Sequence, residues 1–217
     1  FSNMYRFNFE QPASLVLRRN IRGVNGRLNY LGEEICPLDQ KALLTAADEL
    51  INKAGCEAIA LNFLHSYANT KHESLAIELL SEYFPNTAIS AGGLLANEYR
   101  EYERTSTAVL DAYIKPVLKD YLQNLKSGIE HAGFTGKFYA MNSAGGALTF
   151  QMAEAKPIST IFSGPAGGVS GALNLAKIME KNKLLSIDVG GTSLDANLII
   201  DFEPVDVFEA HVDNFPV

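Results

Sequence analysis

The densest concentration of chemistry in the sequence is Asp188-Val189-Gly190-Gly191-Thr192-Ser193-Leu194-Asp195. An apolar run, Lys183 to Ile187, delivers Asp188 at its end, and Leu194 opens a second apolar run. The two glycines permit left-handed φ and close backbone approach. Their exposed amides, with the hydroxyls of Thr192 and Ser193, suit phosphate oxygens. Asp188 suits a hydrated Mg²⁺, and Asp195 adds a second carboxylate nearby. No Gly-Lys-Ser/Thr follows and a strand rather than a helix comes next, so this is not a Walker A loop. The same residues equally fit a plain hairpin with a Gly-Gly turn and a solvated aspartate on each side.

A second candidate is Ser163-Gly164-Pro165-Ala166-Gly167-Gly168-Val169. Serine at the cap, proline in the first turn and small residues after them predict a helix N-terminus whose free amides and positive dipole suit an anion. Alternatively Gly167, Gly168 and Gly171 serve only to let two helices approach. Asn142-Ser143-Ala144-Gly145-Gly146 follows a predicted strand, where open α/β sheets place ligands, but reads better as a glycine turn. Arg100-Glu101-Tyr102-Glu103-Arg104-Thr105 mixes both charges and reads as a helix start laced with surface ion pairs. His65 and His72 are seven apart with Glu73 adjacent, but a turn separates them and a capping box accounts for Glu73, so a metal site is disfavoured. No Gly-x-Ser-x-Gly elbow occurs, and neither cysteine has a nucleophile's sequence context.

The elements that would carry these groups follow from periodicity. Leu15-Val16-Leu17 predicts a strand and Val24 to Arg27 a turn. Asp39 caps a helix with Leu43, Ala46, Ala47, Leu50 and Ile51 on one face, ended by Gly55. Ala58 to Leu64 reads as a strand covered on both faces. Thr70-Lys71-His72-Glu73 predicts a capping box opening a helix through Leu75, Leu79, Leu80 and Tyr83. A strand from Thr87 to Ser90 stops at Gly92-Gly93. One long helical pattern then runs from about Thr105 to His131, kinked or divided by Pro116. Strands at Lys137–Met141, Lys183–Asp188 and Leu194–Asp201 and a helix from Ser163 complete the list. The alternation predicts an α/β fold with helices packed on a mainly parallel sheet.

Composition narrows the function. The 217 residues carry 25 acidic against 18 basic side chains, a formal net charge of -7, with no basic cluster longer than Arg18-Arg19, which argues against nucleic acid. No apolar run approaches the roughly 20 residues that span a bilayer, and Phe1 to Phe9 lacks the order of a signal peptide. Cys36 and Cys56 stand alone, without a disulfide framework or a CxxC, which predicts a reducing cytoplasm. The start at Phe1 and the apolar end at Val217 predict a piece of a longer protein.

Taken in order, Pro37-Leu38-Asp39, Phe63-Leu64-His65-Ser66-Tyr67, Arg100 to Thr107, Ala112 to Pro116, Ser163 to Val169 and Asp188 to Asp195 closely resemble the hydantoinase/oxoprolinase family. The family includes ATP-dependent 5-oxoprolinases, N-methylhydantoinases and subunits of acetone and acetophenone carboxylases. The resemblance implies the two-lobe, ribonuclease H-like ATPase fold of actin, Hsp70 and sugar kinases. Residues 1–181 would then be an incomplete first lobe, including the long helix and the connecting helix, and 182–217 the opening phosphate hairpin of the second. It implies ATP and Mg²⁺ as cofactors and a small cyclic amide as substrate. Asp188 would hold the metal with Asp195 in support, and Gly190, Gly191, Thr192, Ser193, Ser163, Gly164, Gly167 and Gly168 would lie about the nucleotide. It favours close packing by the glycines after Ser163 while keeping that helix's first turn near the phosphates. Implied partners are the remaining N- and C-terminal parts of the same polypeptide and a hydantoinase B-type subunit. A ketone carboxylase subunit and a non-catalytic interaction module are the alternatives. Leu194 stands where the family commonly has threonine, and Gly26 where an acidic residue is usual. By itself the chain is expected to bind ATP weakly or not at all, because one hairpin cannot enclose a triphosphate.

Overall fold

The computed structural model describes residues 13–191, 193–205, 211–212 and 215–216. They form two compact units, one comprising residues 1–109 with 210–217 and the other residues 110–209.

The first unit opens with a 3₁₀ turn at Arg18–Asn20. Leu15 to Leu17, expected as a strand, is none: Leu15 and Leu17 are exposed and the run has no partner strand among the described residues, without which three apolar residues cannot hold extended pairing. Strands β1 (Arg27–Leu28) and β2 (Glu34–Cys36) pair antiparallel. Helix α1 (Gln40–Asp48) begins where Asp39 accepts the Ala42 amide at 3.0 Å, passes into a π-turn at Glu49–Lys53, and stops at Gly55, whose φ of +70° suits glycine. Strand β3 (Ala58–Leu61), helix α2 (Lys71–Tyr83) and strand β4 (Ala88–Ala91) form a β-α-β unit, in which β3 and β4 run parallel with Ala58 opposite Ala88 and Leu61 opposite Ala91. The helical crossover makes the pair parallel. Leu38, Leu43, Ala47, Ile59, Leu61, Ala76, Leu80 and Ala91 close one core between the helices and this pair.

The expected capping box at Thr70 does not form, since Thr70 makes no side-chain cap bond and the Oδ1 of Asn69 takes the Lys71 amide instead. Glu73 is spent in the interior. It is fully buried, and its carboxylate accepts the amides of Phe63 at 3.1 Å and Gly93 at 2.8 Å, tying together the segments that leave β3 and β4. The short helix α3 (Gly92–Leu95) follows β4 directly.

Helix α4 (Glu101–His131) is continuous through Pro116 and starts four residues before the periodicity indicated. The charged run at its start is only partly a surface feature. Arg100 and Glu103 form the expected exposed pair at 3.5 Å. Arg104, however, is fully buried: its Nε donates to Asn62 Oδ1 at 3.2 Å, one terminal nitrogen to the Glu98 carbonyl at 2.6 Å, and the other to the Phe63 carbonyl at 3.2 Å. Its guanidinium also lies 5.8 Å from the Tyr67 ring centroid.

In the second unit, strands β5 (Tyr139–Met141) and β6 (Ala147–Thr149) make a hairpin around Asn142–Gly146, where Gly145 and Gly146 take positive φ, as the glycine-turn reading requires. Helix α5 (Phe150–Ala155), a 3₁₀ turn at Pro157–Thr160 and helix α6 (Ser163–Ile178) follow. Strands β7 (Lys183–Val189), β8 (Leu194–Ile200) and β9 (Glu203–Pro204) form an antiparallel sheet. Two short strands that belong to the first unit, β10 (His211–Val212) and β11 (Phe215–Pro216), pair with each other.

The architecture is α/β, but the expectation of a mainly parallel sheet is corrected. Among the described residues β3–β4 is parallel and every other pairing is antiparallel, because short turns join the other strands and only a crossover permits parallel pairing. Among the described residues no helix is long and apolar enough to cross a membrane.

Candidate functional site

The glycine-rich hairpin forms as the sequence indicates. Lys183 pairs with Ile200 and the register holds to Asp188 opposite Asp195 and Val189 opposite Leu194. The two aspartates are therefore direct cross-strand partners on one face, and both are exposed. Like charges so placed destabilise a bare ribbon, and a divalent cation between them removes that penalty.

The turn differs in detail from the expectation. The Gly190 amide donates to the Ser193 carbonyl at 2.9 Å, so the Gly190 N–H is not available to a phosphate. Neither Gly190 nor Gly191 takes a left-handed φ; what Gly191 contributes is uncovered backbone, since a Cβ there would meet nothing within 4 Å. Ser193 is exposed beside it, and Thr192 lies outside the described residues.

Helix α6 begins one residue earlier than expected. Phe162 is its N-cap and Ser163 its first helical residue, which puts Pro165 in the first turn, where its missing N–H costs nothing. The Ala166 amide closes on the Phe162 carbonyl, and among the described residues nothing accepts the amides of Ser163 and Gly164. Among the described residues nothing packs closely on the glycines. A Cβ at Gly164, Gly168 or Gly171 would meet nothing within 4 Å, and one at Gly167 only the Met141 side chain at 3.7 Å. No second helix among the described residues presses on these glycines, so there this face of α6 is open backbone. The β7–β8 sheet packs on α6 through the opposite end of the ribbon, where Ile199 is fully buried.

Two side chains secure this turn, Asp111, which sequence reasoning passed over, and Ser143, which it placed only in a glycine turn. Asp111 in α4 is fully buried; its Oδ1 accepts the Ile158 amide at 2.9 Å and its Oδ2 faces Lys115 Nζ at 3.3 Å. The hydroxyl of Ser143 accepts the Phe162 amide at 3.0 Å, while the Ser143 amide donates to the Ser159 carbonyl at 2.7 Å. The signal for Asp111 was there to find: a carboxylate inside the apolar stretch Val109-Leu110-Asp111-Ala112 needs a buried partner.

His65 and His72 belong to the first unit and serve its structure. The Nε2 of His72 lies 2.8 Å from Glu34, which also takes Lys71 Nζ at 2.6 Å. The hydrogen bonds from Lys71 and then His72 hold the Glu34 carboxyl below its ordinary range. His65 sits at a positive φ of 63°, edge-on to Tyr67. Both cysteines are free thiols.

Comparison with known proteins agrees with this order of motifs. The Hydantoinase/oxoprolinase family matches residues 104–217, and the Hydantoinase/oxoprolinase N-terminal region matches residues 2–84. The uncharacterized protein MJ0964 of Methanocaldococcus jannaschii is 38% identical over 202 residues, covering 93% of this chain and 30% of that protein. The crystal structure of the ATP-dependent caprolactamase from Pseudomonas jessenii superposes with a TM-score of 0.79 at 29% identity, over 91% of this chain and 29% of that one. Acetone carboxylase in its nucleotide-free structure gives 0.72 at 30% identity, over 84% and 26%. The chain thus spans less than a third of the length of these relatives. With one match over more than half of its residues and the other over most of the rest, the chain belongs to the hydantoinase/oxoprolinase family.

Proposed function

We propose that the full-length protein is an ATP-dependent amidohydrolase that opens a small cyclic amide such as 5-oxoproline or a hydantoin, with Mg²⁺ at the phosphates. The observation that carries this reading is the pairing of Asp188 with Asp195 beside the uncovered backbone of Gly191. Two exposed, facing carboxylates are a hard-oxygen donor set that fits a partly hydrated Mg²⁺. Asp188 is the metal residue and Asp195 its support; Gly191, Thr192 and Ser193 face the phosphates, while Gly190 shapes the turn.

Helix α6 supplies the second half of the site. Sixteen residues of helix rise about 24 Å and seven residues of strand span about 23 Å, so β7 is long enough to return along α6, and in this reading it carries Asp188 toward the helix's first turn. There the free amides of Ser163 and Gly164, at the positive end of the dipole, suit phosphate oxygens, and Gly167 and Gly168 keep the adjacent backbone open.

The nucleotide, when bound, supplies a phosphoryl group that converts the ring carbonyl oxygen of an unreactive lactam into a good leaving group. The residues of this chain bind and orient it and offset negative charge as it builds on the phosphoryl oxygens.

In this reading residues 1–181 belong to the first lobe of an actin-like fold and 182–217 open the second, and the rest of the same polypeptide closes the site. The outer face of the β7–β8 ribbon supports that: Leu185, Ile187, Val189, Leu194, Leu198 and Ile200 are all exposed there, an apolar surface suited to burial by further chain. A hydantoinase B-type subunit is the proposed partner and the cytoplasm the proposed compartment. The likeness to acetone carboxylase favours one alternative, a subunit that uses the same phosphoryl chemistry on a ketone.

The test is ADP release by the full-length protein with 5-oxoproline, N-methylhydantoin, caprolactam, acetone with bicarbonate, or no substrate. Release stimulated by a lactam and lost in Asp188→Asn is the expected result. Stimulation by acetone with bicarbonate alone selects the carboxylase, and stimulation that survives Asp188→Asn refutes the assigned phosphate site.

A further inference from the structure

We infer that Asp111 and Ser143 are positioning residues that hold the first turn of α6 ready for phosphate; the inference rests on the nucleotide site proposed above. A helix start that receives an anion through only two amides works if those amides are already aimed. The segment leading into α6 has no cap of its own, since neither Phe162 nor Ser163 makes a side-chain cap bond. Its geometry is set from outside, at two points.

The first point is the 3₁₀ turn at Pro157–Thr160, which precedes α6 by two residues. Its Ile158 amide is held by a carboxylate 47 positions earlier in the chain, Asp111, which is itself fully buried. Asp111 keeps its charge company through Lys115, one helical turn on along α4. The second point is the N-cap. The Phe162 amide donates to the Ser143 hydroxyl, and the same residue's amide holds Ser159. Ser143 is placed in turn by the Asn142–Gly146 turn, in which the Asn142 amide meets the Gly146 carbonyl at 2.9 Å. Two separate elements, α4 and the β5–β6 turn, thus converge on the five residues before Ser163.

A buried carboxylate carries a heavy desolvation cost, and using it on a backbone amide rather than on an apolar contact specifies position rather than adding net stability. The amides of Ser163 and Gly164 stay unpaired while the residues just before them are tied down. That asymmetry is what pre-organisation for an incoming anion requires.

The experiment titrates MgATP into the full-length protein and into Ser143→Ala, Asp111→Ala, Asp111→Asn and Asp188→Asn, with hydrogen exchange of the Ile158 and Phe162 amides read in parallel. Losing one positioning hydrogen bond is expected to weaken MgATP on the order of tenfold in Ser143→Ala and Asp111→Ala and to speed exchange at the amide whose acceptor is lost, Phe162 or Ile158. Asp111→Asn, whose Oδ1 can still accept from Ile158, is expected to stay within about threefold of the parent in both readouts. A merely structural role would lower the folded fraction and leave the affinity of the folded molecules unchanged. Parent-like affinity in Ser143→Ala and Asp111→Ala, with affinity lost in Asp188→Asn, overturns the positioning role and leaves the hairpin site standing. Parent-like affinity in Asp188→Asn as well overturns both. Equal losses in Asp111→Asn and Asp111→Ala also overturn it, since they remove the acceptor role on which it depends.

Discussion

Replacing Arg104 with lysine separates a buried latch from a surface ion pair. The guanidinium donates from three different nitrogens to three acceptors, Asn62 Oδ1, the Glu98 carbonyl and the Phe63 carbonyl, while fully out of water. A single ammonium on a flexible stem can satisfy one of these from the same place and leaves two carbonyl-type oxygens without a donor. At the lower end for hydrogen bonds to a charged group, about 1.5 kcal/mol each, the loss is about 3 kcal/mol. Had Arg104 been part of an exposed i,i+3 network, as its neighbours suggest, the change would be under about 1 kcal/mol. With two compact units in the chain, global melting does not isolate the first unit. Native-state hydrogen exchange of the β3 and β4 amides does. A 3 kcal/mol loss accelerates their exchange somewhat over a hundredfold, and a surface pair would give about fivefold at most. Acceleration below about tenfold would refute the argument, because it would mean that the three acceptors find water or other donors once the guanidinium is gone.

Three further outcomes are expected. Glu34 is held below its ordinary 4.5 by Lys71 and His72, so its stabilising contribution is fully present above that value and fades as pH falls through its lowered folded value; the protection of the β3 and β4 amides against exchange in the parent and in Glu34→Gln should converge on acidification from pH 7 toward 3, and a constant gap would contradict the assignment. Gly93→Ala places a Cβ 2.8 Å from the Ser66 hydroxyl oxygen and 2.9 Å from its carbonyl oxygen and should cost about 1–3 kcal/mol by overpacking, whereas Gly128→Ala, inside α4 with nothing within 4 Å, should stabilise by about 1 kcal/mol. Asp39→Ala removes the acceptor for the Ala42 amide and should destabilise the first unit by about 1 kcal/mol, which urea denaturation followed by hydrogen exchange in α1 would register.

The local elements were readable because their causes are local. Asp39 caps α1 and Gly55 ends the turn after it, the apolar runs on either side of Gly190-Gly191 form the paired strands β7 and β8, and the residues of the hairpin lie in the order the family motif implies. Periodicity, a cap and a turn act over a few residues, and those residues are contiguous in the chain. What could not be read is where charge goes. Glu73 looks like half of a capping box and Arg104 like half of a surface pair, yet both are fully buried and bonded to the segments that follow β3 and β4. Gly167 and Gly168 look like helix-packing glycines, yet among the described residues nothing lies close enough to need them. Asp111 meets Ile158, and Ser143 meets Phe162, across 47 and 19 positions of chain. In each case the side chain's partner is supplied by a distant segment that folding brings alongside. Whether a carboxylate faces water or a backbone amide is therefore a property of the packed unit, and no window of neighbouring residues contains it.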